Sequence, residues 1–386
     1  MSWKNCFSKQ GKESKFVDKF GFVGMKMEMM LLEDCCEILD SMRIPITASE
    51  RKEGPYPYYG ANGIQDHVES YIFDDELVLL AEDGGNFGSK EKPIAYRVSG
   101  KCWVNNHAHV LKPKNEKLDV DYLCYSLMFY NTNGLVNGAT RQKLTQAMMR
   151  KMLIPKRSIE EQKHIVELLN RVVEVKRCRQ DELTKLDELI KARFVELFGD
   201  ENNSYGWNIV NVEDVADVQV GVVIKPAQYY TDSQNGIKTF RSLNVGPMYI
   251  KDNDWVYFTE EGNQKNAKSI LKENDLLIVR SGAPGTACVV SKEYEGCNAI
   301  DIIIAHPHLD KVNPHYLCAY TNMPHGKKQI EEGTGGAAQQ HFNVGKYNKL
   351  KLMLPPMNQQ EEFVTFMNQV DKSKFKGKDV IICSYL

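Results

Sequence analysis

A pattern that occurs twice in the same order constrains the fold of this chain more than any single motif, because a missed duplication misplaces every later element. Leu32-Glu33-Asp34-Cys35-Cys36-Glu37-Ile38 returns as Val212-Glu213-Asp214-Val215-Ala216-Asp217-Val218, an acidic turn entering an apolar run. Glu76-Leu77-Val78-Leu79-Leu80 returns as Asp275-Leu276-Leu277-Ile278-Val279. Each is a short strand pattern followed by a glycine loop, Asp83-Gly84-Gly85 or Ser281-Gly282. Tyr122-Leu123-Cys124 matches Tyr316-Leu317-Cys318, and Gly138-Ala139-Thr140-Arg141-Gln142 matches Gly336-Ala337-Ala338-Gln339-Gln340. Met152-Leu153-Ile154-Pro155 then pairs with Leu352-Met353-Leu354-Pro355 across a two-residue shift. Finally Gln162, Ile165, Val166, Leu169, Asn170 and Val172 match Gln360, Phe363, Val364, Met367, Asn368 and Val370. The chain reads as one unit written twice, in line with the two cores expected of 386 residues.

Charge narrows the function classes. A net charge of -2 excludes a polycation that coats nucleic acid indiscriminately, but leaves room for local basic faces. Residues 139–158 carry Arg141, Lys143, Arg150, Lys151, Lys156 and Arg157 with no acidic residue. Residues 337–358 carry Lys346, Lys349 and Lys351, again with none. No stretch nears the roughly 18 apolar residues of a membrane helix, and the lysine-dotted start, Met1 to Gly24, lacks the core of a secretory signal. The expectation is a cytoplasmic protein. Ten cysteines without a C-x-x-C pair fit reduced thiols and give no metal site.

Between the copies lies a helix. Ser158 is its N-cap, with Glu160 and Glu161 in the first turn, and Gly199 ends it. Ile165, Leu169, Val172, Leu183, Leu186, Ile190 and Leu197 form a coiled-coil stripe interrupted by Lys176 and Arg179. At 1.5 Å per residue it is a rod of about 60 Å.

These features resemble the specificity subunit of type I restriction-modification systems. The resemblance rests on a strand ending in proline, a Glu-Gln or Gln-Gln pair and a heptad helix, at Ile154-Pro155 to Ile165 and Leu354-Pro355-Pro356 to Phe363. It also rests on Tyr58-Tyr59-Gly60-Ala61-Asn62-Gly63-Ile64, Glu82-Asp83-Gly84-Gly85 and Val104-Asn105-Asn106-His107-Ala108-His109. It implies an α+β fold: two target recognition domains in pseudo-twofold repeat, joined by long coiled-coil helices. On that basis residues 1–27 are an N-terminal extension, 28–157 the first target recognition domain and 158–199 the central helix. Residues 205–356 are the second domain, 357–375 a truncated distal helix and 376–386 an atypical tail.

The resemblance implies a sequence-specific, non-catalytic DNA-binding subunit that reads a two-part target. It directs adenine methylation and restriction by its partners, two methyltransferase subunits and the restriction (translocase and endonuclease) subunits. S-adenosylmethionine, ATP and Mg2+ belong to those partners and none is expected on this chain. Half-sites one duplex turn apart need readers about 34 to 36 Å apart, which a rigid helical spacer can hold.

Other motifs have plainer readings. Asn313-Pro314-His315-Tyr316 resembles a methyltransferase Asn-Pro-Pro-Tyr loop, but its counterpart Asp119-Val120-Asp121-Tyr122 marks it as a helix start with Asn313 as cap. Gly84 to Lys90 fails the phosphate-loop spacing. Glu50-Arg51-Lys52, with Asp40 upstream, has a nuclease-like order among prolines that favour loop. His107 and His109 alternate on one strand face, so they are expected to be a solvated or DNA-facing pair lacking two further metal ligands. Tyr58 and Tyr59 stack on nucleotide or pack in the core.

Donors and acceptors that suit base edges and phosphates are Arg141, Gln142 and Lys143 in the first copy and Gln339, Gln340, His341 and Asn343 in the second. Asn62, Asn105, Asn106, His107, Arg241, Asn244 and Arg280 join them as candidates. The second helix departs from the first: after Lys374 the heptad stops and Gly377 intervenes. Phe363, Met367 and Val370 are then expected to cover only the Leu183 to Leu197 end, leaving Ile165, Leu169 and Val172 without a partner. That is the pattern of a truncated or recombined copy with a weakened methyltransferase contact, and an inactive allele kept for recombination is the alternative function. A stand-alone DNA methyltransferase or nuclease would need a cofactor or metal motif that the sequence does not supply.

Overall fold

The computed structural model describes residues 28–138, 141–334 and 342–383, without side chains for Thr334 and 375–383. Residues up to Arg177 form one compact unit, and those from Cys178 form a second. Unit 1 opens with β1 (Met29–Leu31), α1 (Leu32–Cys35), β2 (Cys36–Ile38), β3 (Tyr56–Gly60) and β4 (Gly63–Val68). It continues with β5 (Phe73–Ala81), β6 (Ala95–Val104), β7 (Ala108–Pro113), α2 (Val120–Met128), β8 (Val136–Asn137), β9 (Lys143–Leu144), α3 (Gln146–Arg150) and β10 (Leu153–Pro155). The long helix α4 (Ile159–Phe198) starts in unit 1 and ends in unit 2.

Unit 2 contains β11 (Ile209–Asn211), β12 (Ala216–Val220), β13 (Tyr230–Thr231), β14 (Ile237–Phe240), β15 (Val256–Phe258) and α5 (Glu260–Lys265). Then come β16 (Leu276–Val279), β17 (Ala287–Val289), β18 (Asn298–Ala299), β19 (Ile302–Pro307), α6 (Pro314–Asn322), α7 (Pro324–Thr334), α8 (Val344–Asn348), β20 (Lys351–Met353) and α9 (Met357–Cys383).

The central sheets repeat. Unit 1 orders its strands β2-β7-β5-β6-β3-β4, and unit 2 orders β12-β19-β16-β17 beside a second sheet, β13-β15-β14-β18. β5 and β16 are buried on both faces, so each sheet separates two cores. Val78, Leu80 and Leu111 share a core with Leu123 and Leu127 of α2, while Leu77 and Leu79 pack on the other side. Likewise Leu276, Ile278 and Ala305 share a core with Tyr316 and Leu317 of α6, while Leu277 and Val279 face away.

Register corrects two of the matches read from sequence. Cys36 pairs with Pro113 and Val78 with Leu111; Ala216 pairs with Pro307 and Leu276 with Ala305. Val78, not Leu77, therefore occupies the place of Leu276, and a slip of one residue would send every side chain to the wrong core. The second correction concerns the closing strands. β1 pairs with β10 through Leu31 and Leu153, and β11 with β20 through Asn211 and Lys351. Pro155 thus stands where Met353 does, the two-residue shift disappears, and Pro355 lies after its strand.

Each unit then closes on the same device. Tyr122 Oη donates to the Pro155 carbonyl at 3.0 Å, and Tyr316 Oη to the Met353 carbonyl at 2.8 Å. Buried Gln162 accepts the N–H of Asp119 at 2.8 Å through Oε1 and donates through Nε2 to the carbonyls of Lys117 and Arg157, both at 2.9 Å. Buried Gln360 accepts the N–H of Asn313 at 2.8 Å and donates to the Pro355 carbonyl at 2.8 Å. Asp119 and Asn313 cap the helices that follow them. Asn313 is therefore a capping residue with Pro314 in the first turn.

Ser158 and Glu161 form a reciprocal capping box at the start of α4, and Gly199, at φ +86°, ends it. The stripe expected to be coiled coil is used within the units. Ile165 packs on unit 1's own core, together with Val166. Ile190, with Phe194 and Phe198, is buried in unit 2's core beside Phe363, Val364, Met367 and Val370. Ile165 therefore has a partner inside its own unit, contrary to expectation. Leu183 and Leu169 are half-buried, Leu186 and Leu197 are partly buried against the unit 2 core, and Val172 is exposed. α9 runs to Cys383, eight residues beyond the end expected at 375, because a lone Gly377 costs a helix only about 1 kcal/mol. No helix among the described residues is long and apolar enough to cross a membrane.

Candidate nucleic-acid interface

Four separate segments of unit 1 meet just past the end of β5. The Glu82 N–H donates to the His107 carbonyl at 2.9 Å, and the Leu144 N–H donates to the Glu82 carbonyl at 2.7 Å. Asp83 forms a β-bridge with Lys143. Asn62, in the β3–β4 turn, donates from Nδ2 to the Gly84 carbonyl at 3.0 Å and accepts from Asn86 at 3.1 Å. Gly84 itself sits at φ +63°, where a side chain would be strained.

Asp83 is the hub of the side chains. One carboxylate oxygen accepts from Arg141 Nη2 at 2.5 Å and lies 2.8 Å from His107 Nδ1. A carboxylate only accepts, so His107 carries its proton on Nδ1. Gln142 and Asn106 are exposed beside them. The structure thus gathers Asn62, Asn106, His107, Arg141 and Gln142 at one end of the unit, with exposed Lys143 paired to Glu82 at 3.0 Å. Asn105 differs: it is buried, bonds Gln65 at 2.9 Å and accepts the His107 N–H at 2.8 Å. It supports the loop and does not face solvent.

Beneath these loops lies a buried charged cluster that corrects the view of the two histidines as a solvated pair. His107 precedes β7 and is half-buried, whereas His109 is fully buried. His109 Nδ1 meets Asp40 at 2.7 Å, and Nε2 donates to the Leu144 carbonyl at 2.9 Å. Asp40 also accepts from Gln146 at 2.9 Å and from the Val110 N–H at 2.9 Å. Arg43 donates to Glu82 at 2.7 Å and to the Ala108 carbonyl at 2.8 Å.

Burial raises the Asp40 carboxyl, but His109, Gln146 and Val110 outweigh it and hold it below the ordinary value. Burial acts on Glu82 in the same way and is outweighed by Arg43, Lys143 and His109. Asp40, Glu82 and His109 offer ligand atoms within 4.8 Å of one another, the further ligands that the sequence did not place. Their lone pairs and protons are already engaged with Arg43, Lys143, Gln146 and backbone, so the cluster is a charge network that ties the loops together. Asp40 and Glu50 have separate structural engagements, Asp40 with His109, Gln146 and Val110 and Glu50 as the cap of a short turn through Thr47. Tyr58 is a core residue, with Arg51 4.2 Å over its ring; Tyr59 is half-buried beside Tyr96.

In unit 2 the described candidates fall into two pairs, Arg241 with Asn244 and Arg280 beside the segment that starts at Phe342 and carries Asn343. Buried Asn244 accepts the Arg241 N–H at 2.9 Å and donates to the Asn253 carbonyl at 2.7 Å, a structural role. Arg241 bonds the Asp254 carbonyl. Arg280 pairs with Asp301 and donates to the Phe342 carbonyl at 3.3 Å. Asn343 caps α8, accepting the Lys346 N–H at 3.0 Å. Gln339, Gln340 and His341 lie outside the described residues.

Sequence reasoning missed Asp83 as the hub, although it stood in a quoted run, and Phe194 and Phe198, which continue from Ile190 in steps of four.

The comparisons agree with the duplication. The sequence pattern of the "Type I restriction modification DNA specificity domain" matches residues 25–186 and again 205–379. A putative type I restriction enzyme specificity subunit of Haemophilus influenzae is 29% identical over 352 residues, covering 90% of this chain and 88% of the relative. The type I restriction enzyme MjaVIII specificity subunit of Methanocaldococcus jannaschii is 23% identical over 396 residues, covering 93% and 90%. Among solved structures, the type I restriction-modification S subunit from M. genitalium aligns with a TM-score of 0.55 at 13% identity, over 93% of this chain and 94% of that one. A chain from a study of complex assembly and conformational transition in the type I system aligns at 0.54 and 17%, over 94% and 95%.

Proposed function

The chain belongs to the type I restriction-modification DNA specificity family, and we propose that it reads a two-part duplex target, one half per unit. The observation that carries this reading is the pairing of a repeated frame with unrepeated loops. Tyr122 with Gln162 and Tyr316 with Gln360 close the units alike, and the family pattern matches both copies. At the candidate reading ends Gly138-Ala139 and Gln142 return as Gly336-Ala337 and Gln340, but Arg141 stands where Gln339 does, and the Asn62, Asn106 and His107 group of unit 1 is not repeated, the kind of difference that two half-sites require.

In unit 1 the reading face is the group around Asp83: Asn62, Asn106, His107, Arg141 and Gln142, with Lys143 for phosphates. In unit 2 the segment that carries Gln339, Gln340 and His341 takes that part, with Asn343 at its edge. The chain directs adenine methylation and restriction without performing either. S-adenosylmethionine, ATP and Mg2+ serve methyltransferase and restriction partner subunits. Leu168, Val172, Val173 and Val175 leave about half their surface exposed on α4, an apolar face suited to a companion subunit.

Methyl transfer from labelled S-adenosylmethionine tests this. The chain alone transfers no label to DNA, and the chain with its methyltransferase subunits labels only duplexes with the split site. Label transferred by the chain alone would overturn the non-catalytic reading.

A further inference from the structure

An arginine on the surface of a DNA-binding domain can hold a phosphate or read a base, and the surroundings of Arg141 separate the two. Its Nη2 is held at 2.5 Å by Asp83 Oδ1, itself 2.8 Å from His107 Nδ1. Asp83 is mostly buried, while the Arg141 side chain is 62% exposed. The main chain that carries Asp83 is fixed through the β-bridge to Lys143 and the Glu82 bonds to His107 and Leu144. Asp83 therefore orients a guanidinium that would otherwise sample many rotamers, which lowers the entropy cost of binding.

It also places a negative charge directly against the arginine. A phosphate docking there would meet that charge, whereas the O6 and N7 edge of guanine is uncharged. Asp83 occupies one N–H of five, and the remaining donors of a planar fork suit two parallel acceptors.

We propose that Asp83 is the positioning residue that presents Arg141 to a guanine within the half-site read by unit 1. His107 Nδ1 meets the same Asp83 oxygen, 3.4 Å from Arg141 Nη2, so the three residues act as one device assembled from three loops. This rests on the DNA-reading function proposed above.

The test uses the full chain expressed with its methyltransferase subunits, and sequencing of the methylated positions across the host genome. The unaltered chain yields a two-part motif. Arg141→Ala makes one G·C position in one half degenerate, with discrimination there falling about 5- to 150-fold, while the other half stays intact. The intact half reports that the complex is folded. Asp83→Asn, nearly the same shape without the charge, weakens discrimination at that same position, which a purely structural residue would not do.

An unchanged motif in both variants would overturn the proposal. So would a uniform fall in methylation with no position relaxed, the signature of a phosphate contact. Degeneracy at an A·T position, or loss of all methylation in both variants, would count against it equally. If the unaltered complex itself gives no two-part motif, the DNA-reading function fails first and this inference with it.

Discussion

Four residues past Cys36, unit 1 places Asp40; four residues past Ala216, which holds the same sheet position, unit 2 places Val220. Across the sheet the contrast is repeated. His109 lies opposite Leu80, and Ile303 lies opposite Ile278, the residue two past Leu276 as Leu80 is two past Val78. His109 and Ile303 are both fully buried. One unit thus fills the position with a charge network, the other with the pair Val220 and Ile303, which are direct cross-strand partners.

The difference lies beneath the candidate reading loops and not in the frame. In unit 1 the network fastens 141–146 to the sheet through Lys143, Leu144 and Gln146. In unit 2 the corresponding loop end is fastened by Arg280, whose carbonyl accepts the Phe342 N–H at 3.0 Å. A sheet of one topology accepts either filling, because the loops need an anchor and not a particular chemistry.

The largest expected effect breaks the unit 1 network at one point. Asp40→Ala leaves His109 buried without its charge partner and costs about 3–5 kcal/mol. Ile303→Val at the matching place costs about 0.5–1.5 kcal/mol. Chemical denaturation, with hydrogen exchange to show which unit opens, measures both. The double change Asp40→Val with His109→Ile recovers part of the loss: it removes the buried charges but leaves the Val110 N–H and the Leu144 carbonyl without the partners they have now.

Next in size is the shared frame. Gln162→Glu and Gln360→Glu keep the oxygen that accepts from the helix cap but remove the Nε2 donor. Gln162→Glu then leaves the Lys117 and Arg157 carbonyls without this donor and Gln360→Glu the Pro355 carbonyl, at about 1–3 kcal/mol per group. A loss of protection in both units, larger in unit 1, sharpens the comparison; a loss in one only breaks it.

Acid distinguishes the fillings more gently. Asp40 and Glu82 are held below their ordinary values of 3.8 and 4.5. A depressed carboxyl stabilises fully above its unfolded pKa, and that contribution is lost as pH falls through the folded one. As pH drops from about 5, native unit 1 should lose stability relative to the apolar double variant, by about 2–4 °C in Tm per kcal/mol. Thermal scans between pH 7 and 3 follow it. The smallest effect is on α4: Val172→Ala, at an exposed site, changes the stability of the chain alone by less than about 0.5 kcal/mol.

What the sequence disclosed follows the same division. Tyr122, Tyr316, Gln162 and Gln360 were legible because a repeated frame repeats its polar residues. The register of β5 against β16 was not, since both runs are buried on two faces and carry no alternation to mark one. Pro155 and Pro355 misled for a related reason: one lies in its strand and the other follows it. The pairing of Asp40 with His109 spans 69 residues and leaves no local pattern, and the role of Asp83 depends on three loops meeting.

The central claim is that the two units read independently. Replacing residues 205–356 with the matching segment of the Haemophilus influenzae relative, and sequencing methylation in cells that supply the methyltransferase subunits, tests it most directly. A motif that changes in one half only, with the other half as before, is the predicted result. A change in both halves, or none in either from an assembled complex, would contradict it.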